Sequence, residues 1–137
     1  MIQVLACVFP IESVKIMARI IERTEEIALD QIPPLKHSPA TKGGAITKAA
    51  TEVGLTVGAK FLVAFTQSGD SARRMSRLRS PIPMLALTPD TGTYNRLALS
   101  WGVESLLTPV VNHTDEMVMQ VDSILINSKR VNLGDLV

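Results

Sequence analysis

Six consecutive residues, Thr66-Gln67-Ser68-Gly69-Asp70-Ser71, gather three hydroxyls and a glycine between an apolar run, Phe61 to Phe65, and a basic stretch holding Arg73, Arg74, Arg77 and Arg79. Hydroxyl donors, free backbone N–H groups and the positive end of a helix dipole together attract an anion, and a glycine lets the backbone approach it closely. That chemistry suits gripping one phosphate group, not transferring it. The chain has neither the G-x-x-x-x-G-K-[ST] loop of an NTPase nor G-x-G-x-x-G. The arginines could supply charge for a second phosphate, or form a solvated helix face paired with neighbouring acids. Asp70 places a negative charge inside the cradle. Small residues are also common where a strand turns into a helix, because they cap and turn. On the residues alone, that plainer reading stands ahead of an anion site.

The other candidates are weaker. His37 and His113 are isolated, and no His, Cys or Asp cluster has metal-ligand spacing. Cys7 sits in an apolar run without an adjacent base, which reads as a buried thiol. Ser68 and Ser71 lie in no G-x-S-x-G elbow and have no histidine nearby in sequence. The acids of "ERTEE" share a helix with arginines and read as surface ion pairs. Trp101 reads as core. No catalytic constellation is expected, and no metal site.

Bulk properties bound the class. The 137 residues suffice for one domain with a real core, and 46% hydrophobic with 20% charged residues is ordinary for a soluble protein. A net charge of +1 draws the chain to neither nucleic acid nor membrane. Aromatic residues, at 4%, offer little stacking surface for bases. No apolar run approaches a membrane span, "MIQVLACVFP" lacks the basic start of a signal peptide, and a single cysteine fits a reducing, cytoplasmic setting.

The elements that must carry the loop follow from periodicity. A helix is expected over Ile11 to Ala28, with Val14, Met17, Ala18 and Ile21 on one face and Lys15, Arg19, Glu22, Arg23 and Glu26 on the other. The proline-rich "DQIPPLKHSPATKGG" is a connector. A second helix begins near Ala45, where Ile46, Ala49, Ala50 and Val53 follow an apolar helical stripe, and ends by Gly58. Three short apolar strands are predicted at Phe61–Phe65, Met84–Leu87 and Val103–Leu107, of the kind covered on both faces. Helices are predicted between and after them. One is the basic segment Ser71–Arg79. The next carries Tyr94, Leu97, Ala98 and Trp101 on one face. The last is capped by Thr114, with Met117, Val118, Val121, Ile124 and Leu125 inward. "GDLV", Gly134 to Val137, reads as the beginning of a fourth strand. The alternation predicts an α/β fold of three αβα layers around a mainly parallel sheet, with an N-terminal helical arm. Ile2 to Val8 has strand character and is expected to pack on this domain or pair with a sheet edge; the alternative is that it extends the first helix or protrudes.

The blocks "AITKAATEVGLTVGAKFLVAFTQSGDSARRMSRLRSPIPMLALTPD", "RLALSWGVESLL", "TDEMVMQVDSIL" and "GDLV" together resemble the C-terminal domain of the pyruvate kinase family, over Ala45 to Val137. "FPIESVKIMARIIERTE", Phe9 to Glu25, resembles the helix that closes that family's catalytic barrel. The resemblance implies three parts: residues 1–30 as an N-terminal segment with the last barrel helix, 31–44 as a linker, and 45–137 as an α/β domain truncated at its C-terminal end. It further implies a regulatory domain that binds a phosphorylated effector, a sugar phosphate or a nucleotide, and takes part in subunit association as a homo-oligomer. The family's phosphate loop has the pattern T-x-S-G-x-[ST], which Thr66, Ser68, Gly69 and Ser71 match; Asp70 stands where many members carry a basic residue. With the resemblance, the anion reading of this loop moves ahead. The family transfers a phosphoryl group between phosphoenolpyruvate and ADP with Mg²⁺ and K⁺, all handled by the barrel, so no cofactor is expected in this chain. Two alternatives stand beside the regulatory reading: a piece of an active pyruvate kinase, and a structural remnant that only self-associates.

Overall fold

The computed structural model describes residues 8–28, 31 and 40–137. The chain forms two compact units, Met1–Lys36 and His37–Val137. Cys7, His37 and most of the Ile2–Val8 and linker segments lie outside the described residues.

The first unit contributes helix α1, Pro10–Ala28. Pro10 opens it, where a missing N–H costs nothing and φ is already helical. Ser13 and Thr24 turn their hydroxyls back to the carbonyls of Phe9 and Ile20, and Arg23 pairs with Glu26 at 2.7 Å on an exposed face. No residue of α1 is buried: Ile11, Ile16, Ile20 and Ile27 all face solvent.

In the second unit, three parallel strands, β1 (Leu62–Phe65), β2 (Met84–Thr88) and β3 (Val103–Leu107), lie in the order β1-β2-β3. The register sets Ala64 beside Ala86 and Ala86 beside Ser105. Every residue of β2 is buried. Its side chains alternate between two cores, as the strand period requires. Met84 and Ala86 point to one side, where Leu62 and Ala64 meet Ala72 and Met75 of α3 (Asp70–Ser76) and Leu97 of α4 (Thr91–Leu97). Leu85 and Leu87 point to the other, where Phe61 meets Val121 and Leu125 of α5 (Thr114–Asn127). Helices on both faces give the expected three αβα layers.

Helix α2, Lys42–Val57, packs on α3. Thr41 caps it through Gly44 N–H, and Gly58 ends it in the left-handed region at φ 69°. The expected apolar stripe of α2 does not face the core. Gly44, Thr47, Thr51 and Gly54 do, while Ile46 and Val53 are 68% and 60% exposed. Small residues let the helix approach closely: a Cβ on Gly54 would come within 2.7 Å of Leu62 Cδ2. Thr47 and Thr51 donate their hydroxyl protons to carbonyls one turn back, which makes their burial tolerable.

Other expectations need correction at their ends. Helix α3 stops at Ser76, not Arg79; three-residue turns from Leu78 to Met75 and from Arg79 to Ser76 tighten the chain before Pro81, and Arg79 takes φ 53°. Helix α4 stops at Leu97, so Trp101 lies in the following turn, half-buried beneath the Arg79 guanidinium at 4.7 Å. His113, not Thr114, holds the N-cap position of α5, and its side chain makes no cap bond. "GDLV" is not a strand: Asp135 closes a turn on Asn132, and Leu136 joins the domain by accepting a bond from Lys60 N–H at 2.8 Å.

Leu85 is 1% exposed in the central strand. Leu85→Ala should therefore cost about 2–5 kcal/mol in urea unfolding, against a change near zero for Leu99→Ala, whose side chain is 93% exposed.

Candidate functional site: the loop between β1 and α3

Because all three strands run the same way, their carboxyl ends open on one edge of the sheet, the edge where open α/β sheets bind ligands. The β1–α3 loop starts there at Thr66, whose N–H is held by the Leu87 carbonyl of β2. The loop closes on itself. Gly69 N–H donates to Thr66 Oγ1 at 2.9 Å, which leaves the hydroxyl proton to point elsewhere. Asp70 N–H reaches Ser68 Oγ only at 3.4 Å. Gly69 is required on two counts: its φ is 80°, and a Cβ there would lie 2.8 Å from Arg73 Nη1 and 3.2 Å from Thr93 Cγ2.

Gly69 occupies the N-cap position of α3 and has no side chain to cap with, so the N–H groups of Ser71 and Ala72 in the first turn have no intrahelical partner. Ser71 is half-buried beside them, and Ser68 is exposed. The hydroxyls of Thr66, Ser68 and Ser71 thus lie in one short segment that leads into two uncapped backbone donors. Asp70 lies on the exposed side of the first turn.

The four arginines do not converge. Arg73 Nη2 donates to the Ser68 carbonyl at 3.1 Å and braces the loop. Arg74 turns away: its Nε donates to Asp70 Oδ2 at 2.7 Å, and its Nη1 donates to Thr41 Oγ1 at 3.0 Å. Asp70 therefore occupies the Arg74 guanidinium, whose other end ties α3 to the cap of α2. Arg79 covers Trp101, and Arg77 is exposed.

Sequence reasoning missed the neighbour that fixes this loop from outside. Thr93, 1% exposed at the start of α4, donates its hydroxyl proton to the Gln67 carbonyl at 2.8 Å. Asp90 caps α4 by accepting Thr93 N–H at 2.6 Å. An aspartate three residues ahead of a threonine at a strand-to-helix junction carries that cap signal. The bond from Thr93 to Gln67 spans 26 residues and leaves no local signature. Beside the loop, Phe65, Thr66, Gln67, Leu87, Thr108 and Met117 help line a small crevice of about 70 Å³. Among the described residues, no three His, Cys, Asp or Glu side chains are grouped to hold a metal ion.

Comparison with known proteins bears on the whole chain. The family model "Pyruvate kinase, alpha/beta domain" matches residues 44–137. The pyruvate kinase of Mycobacterium tuberculosis is 45% identical over 129 residues, which cover 94% of this chain and 27% of that protein. The pyruvate kinase of Corynebacterium glutamicum is 39% identical over 127 residues, covering 93% and 26%. The chain thus spans about a quarter of the length of these curated relatives. Among solved structures, Cryptosporidium parvum pyruvate kinase superposes with a TM-score of 0.72 at 21% identity, over 93% of this chain and 27% of that one, a likeness of fold. The Pyrobaculum aerophilum enzyme gives a TM-score of 0.56 at 27% identity, over 63% and 19%.

The cap beside the loop should show in the acid limb of stability. The hydrogen bond from Thr93 N–H holds the Asp90 carboxyl below the ordinary aspartate value, with Arg96 assisting. A depressed folded-state value stabilises above the unfolded one and is lost as pH falls through the folded one. The parent should therefore be more stable than Asp90→Ala above about pH 4, with the gap closing on further acidification. A difference between the two unfolding curves that does not shrink in acid would sink this assignment.

Proposed function

The chain belongs to the pyruvate kinase family, and on that premise we propose that it acts as a regulatory module of the family's kind: its β1–α3 loop takes the phosphate of a small-molecule effector, and its α/β domain associates with a second copy. The observation that carries the first half is the loop itself. Thr66, Ser68, Gly69 and Ser71 lie in one tight turn that leads into two uncapped N–H groups at the carboxyl edge of a parallel sheet, a setting that favours an anion. Asp70 neutralises Arg74 at the rim rather than filling the loop. The ligand class is a phosphate ester, a sugar phosphate or a nucleotide, and the reducing cytoplasm that a single cysteine suits is where such ligands abound. No helix among the described residues is long and apolar enough to cross a membrane.

The second half rests on α2. A helix that turns its glycines and threonines inward and leaves Ile46 and Val53 in water offers an apolar stripe for burial against another surface.

One further reading has its own support. The relatives are called pyruvate kinases, and this chain matches about a quarter of each. On that reading it serves as part of an enzyme that moves a phosphoryl group between phosphoenolpyruvate and ADP, with Mg²⁺ and K⁺ held by residues outside this chain.

Two experiments test the regulatory reading. Ser68→Ala combined with Ser71→Ala removes two hydroxyl donors to an ionised phosphate at about 1.5 kcal/mol or more each, so affinity for glucose 6-phosphate or AMP should fall roughly 100-fold or more with the fold intact. Equal affinity in mutant and parent would move the site away from this loop. Separately, Ile46→Lys with Val53→Lys should lower the mass measured by light scattering to that of the monomer, since both residues are exposed in the isolated domain. An unchanged mass would exclude α2 as the contact.

A further inference from the structure

Thr93 touches the β1–α3 loop in two different ways. Its hydroxyl donates to the Gln67 carbonyl at 2.8 Å and accepts from Arg96 Nη2 at 2.9 Å. Its methyl fills the space left by the missing side chain of Gly69, 3.2 Å from where a Cβ would stand, with Leu97 Cδ2 at 3.3 Å closing the same wall. The residue itself is held from behind. Its N–H is taken by Asp90 Oδ1 at 2.6 Å, and Asp90 Oδ1 also lies 3.7 Å from Arg96 Nη2. At 1% exposure, Thr93 offers water no route to replace these bonds. Thr93 is the buried centre of this network, while Asp90 and Arg96 at its rim stay 56% and 65% exposed.

Nothing else described reaches the outer half of the loop from a distant element with a hydrogen bond. Thr66 is anchored to β2 through its backbone, and Arg73 braces Ser68 from within α3. The tip at Gln67 is fastened through Thr93.

We propose that Thr93 is a positioning residue that fixes the tip of the Thr66–Ser71 loop to the first turn of α4, so that the loop and the α4 start move as one unit. This rests on the effector reading only for its consequence, which is that a displacement of α4 reaches a bound phosphate through the Gln67 carbonyl. The hydroxyl carries the clamp by holding the Gln67 carbonyl, and the methyl only fills space beside Gly69.

The test uses the 137-residue chain with amide hydrogen exchange followed by NMR at Gly69, and at Leu85 in the core as an internal control. Thr93→Val keeps the volume and removes the hydroxyl. It should speed exchange at Gly69 by about tenfold while leaving Leu85 unchanged. Thr93→Ser keeps the hydroxyl and should return Gly69 to the parent rate. A titration with inorganic phosphate, read from the shifts of Gly69 and Ser71, should show weaker binding in Thr93→Val and parental binding in Thr93→Ser. An unchanged Gly69 rate in Thr93→Val, or faster exchange at Leu85 as well, overturns the proposal. So does a Thr93→Ser chain that behaves like Thr93→Val. If exchange follows expectation but the parent loop does not respond to phosphate, the effector reading fails and the clamp stands.

Discussion

Strand β2 is hydrogen-bonded along both edges and covered on both faces, so water reaches none of its five residues. Such a strand cannot alternate apolar with polar; each position must suit one of two cores. Met84 and Ala86 serve one, and Leu85 and Leu87 the other. Because both neighbours are parallel to it, each connection must travel back across the sheet, which takes a helix and not a hairpin. From that follows the placement of the site. Three parallel strands release three loops at one edge, and Thr66, Asp90 and Thr108 are brought together there from distant parts of the chain.

The two cores differ in texture, and the difference has a purpose at the loop. The α5 side is built from large side chains, Phe61, Leu85, Leu87 and Leu125. The α3/α4 side includes Ala64, Ala72 and Ala86, and both helices pack on the sheet there. Close approach lets Thr93 on α4 touch a glycine in the loop before α3, with no Cβ between them. The same small-residue logic brings α2 onto α3, where Arg74 joins Asp70 to the cap of α2. Packing density here is what positions polar groups, and the electrostatics follow it.

Much of this was legible in the sequence because it depends on local rules. Short apolar runs bounded by Gly and Pro gave all three strands to within a residue, and their alternation with helical segments gave the layers and the parallel sheet. The left-handed Gly58 and the glycine within the loop were readable as backbone requirements. What could not be read has a common physical origin. Trp101 keeps helical spacing with Leu97, yet α4 ends at Leu97, because spacing does not say where a helix stops. The arginines read either as charge for a second phosphate or as a solvated face paired with acids; Arg74 takes Asp70 at i,i+4, a local pairing, while Arg73 and Arg79 are spent on the Ser68 carbonyl and Trp101, partners fixed by folded geometry. The bond from Thr93 to Gln67 joins residues 26 apart, with nothing local to announce it.

Helix α2 shows the same limit more sharply. A stripe of apolar residues at helical spacing states which face gains most from leaving water. It does not state which surface will cover it. The sheet and α3 take the opposite face, where Gly44 and Gly54 permit contact and Thr47 and Thr51 satisfy their own hydroxyls within the helix. The domain thereby holds α2 by close contact and leaves the more hydrophobic side outward. An isolated domain gains nothing from that arrangement, since Ile46 and Val53 remain wet. On the proposed association a second surface would cover the stripe, and the pattern that looked like the signature of a core would belong to that contact.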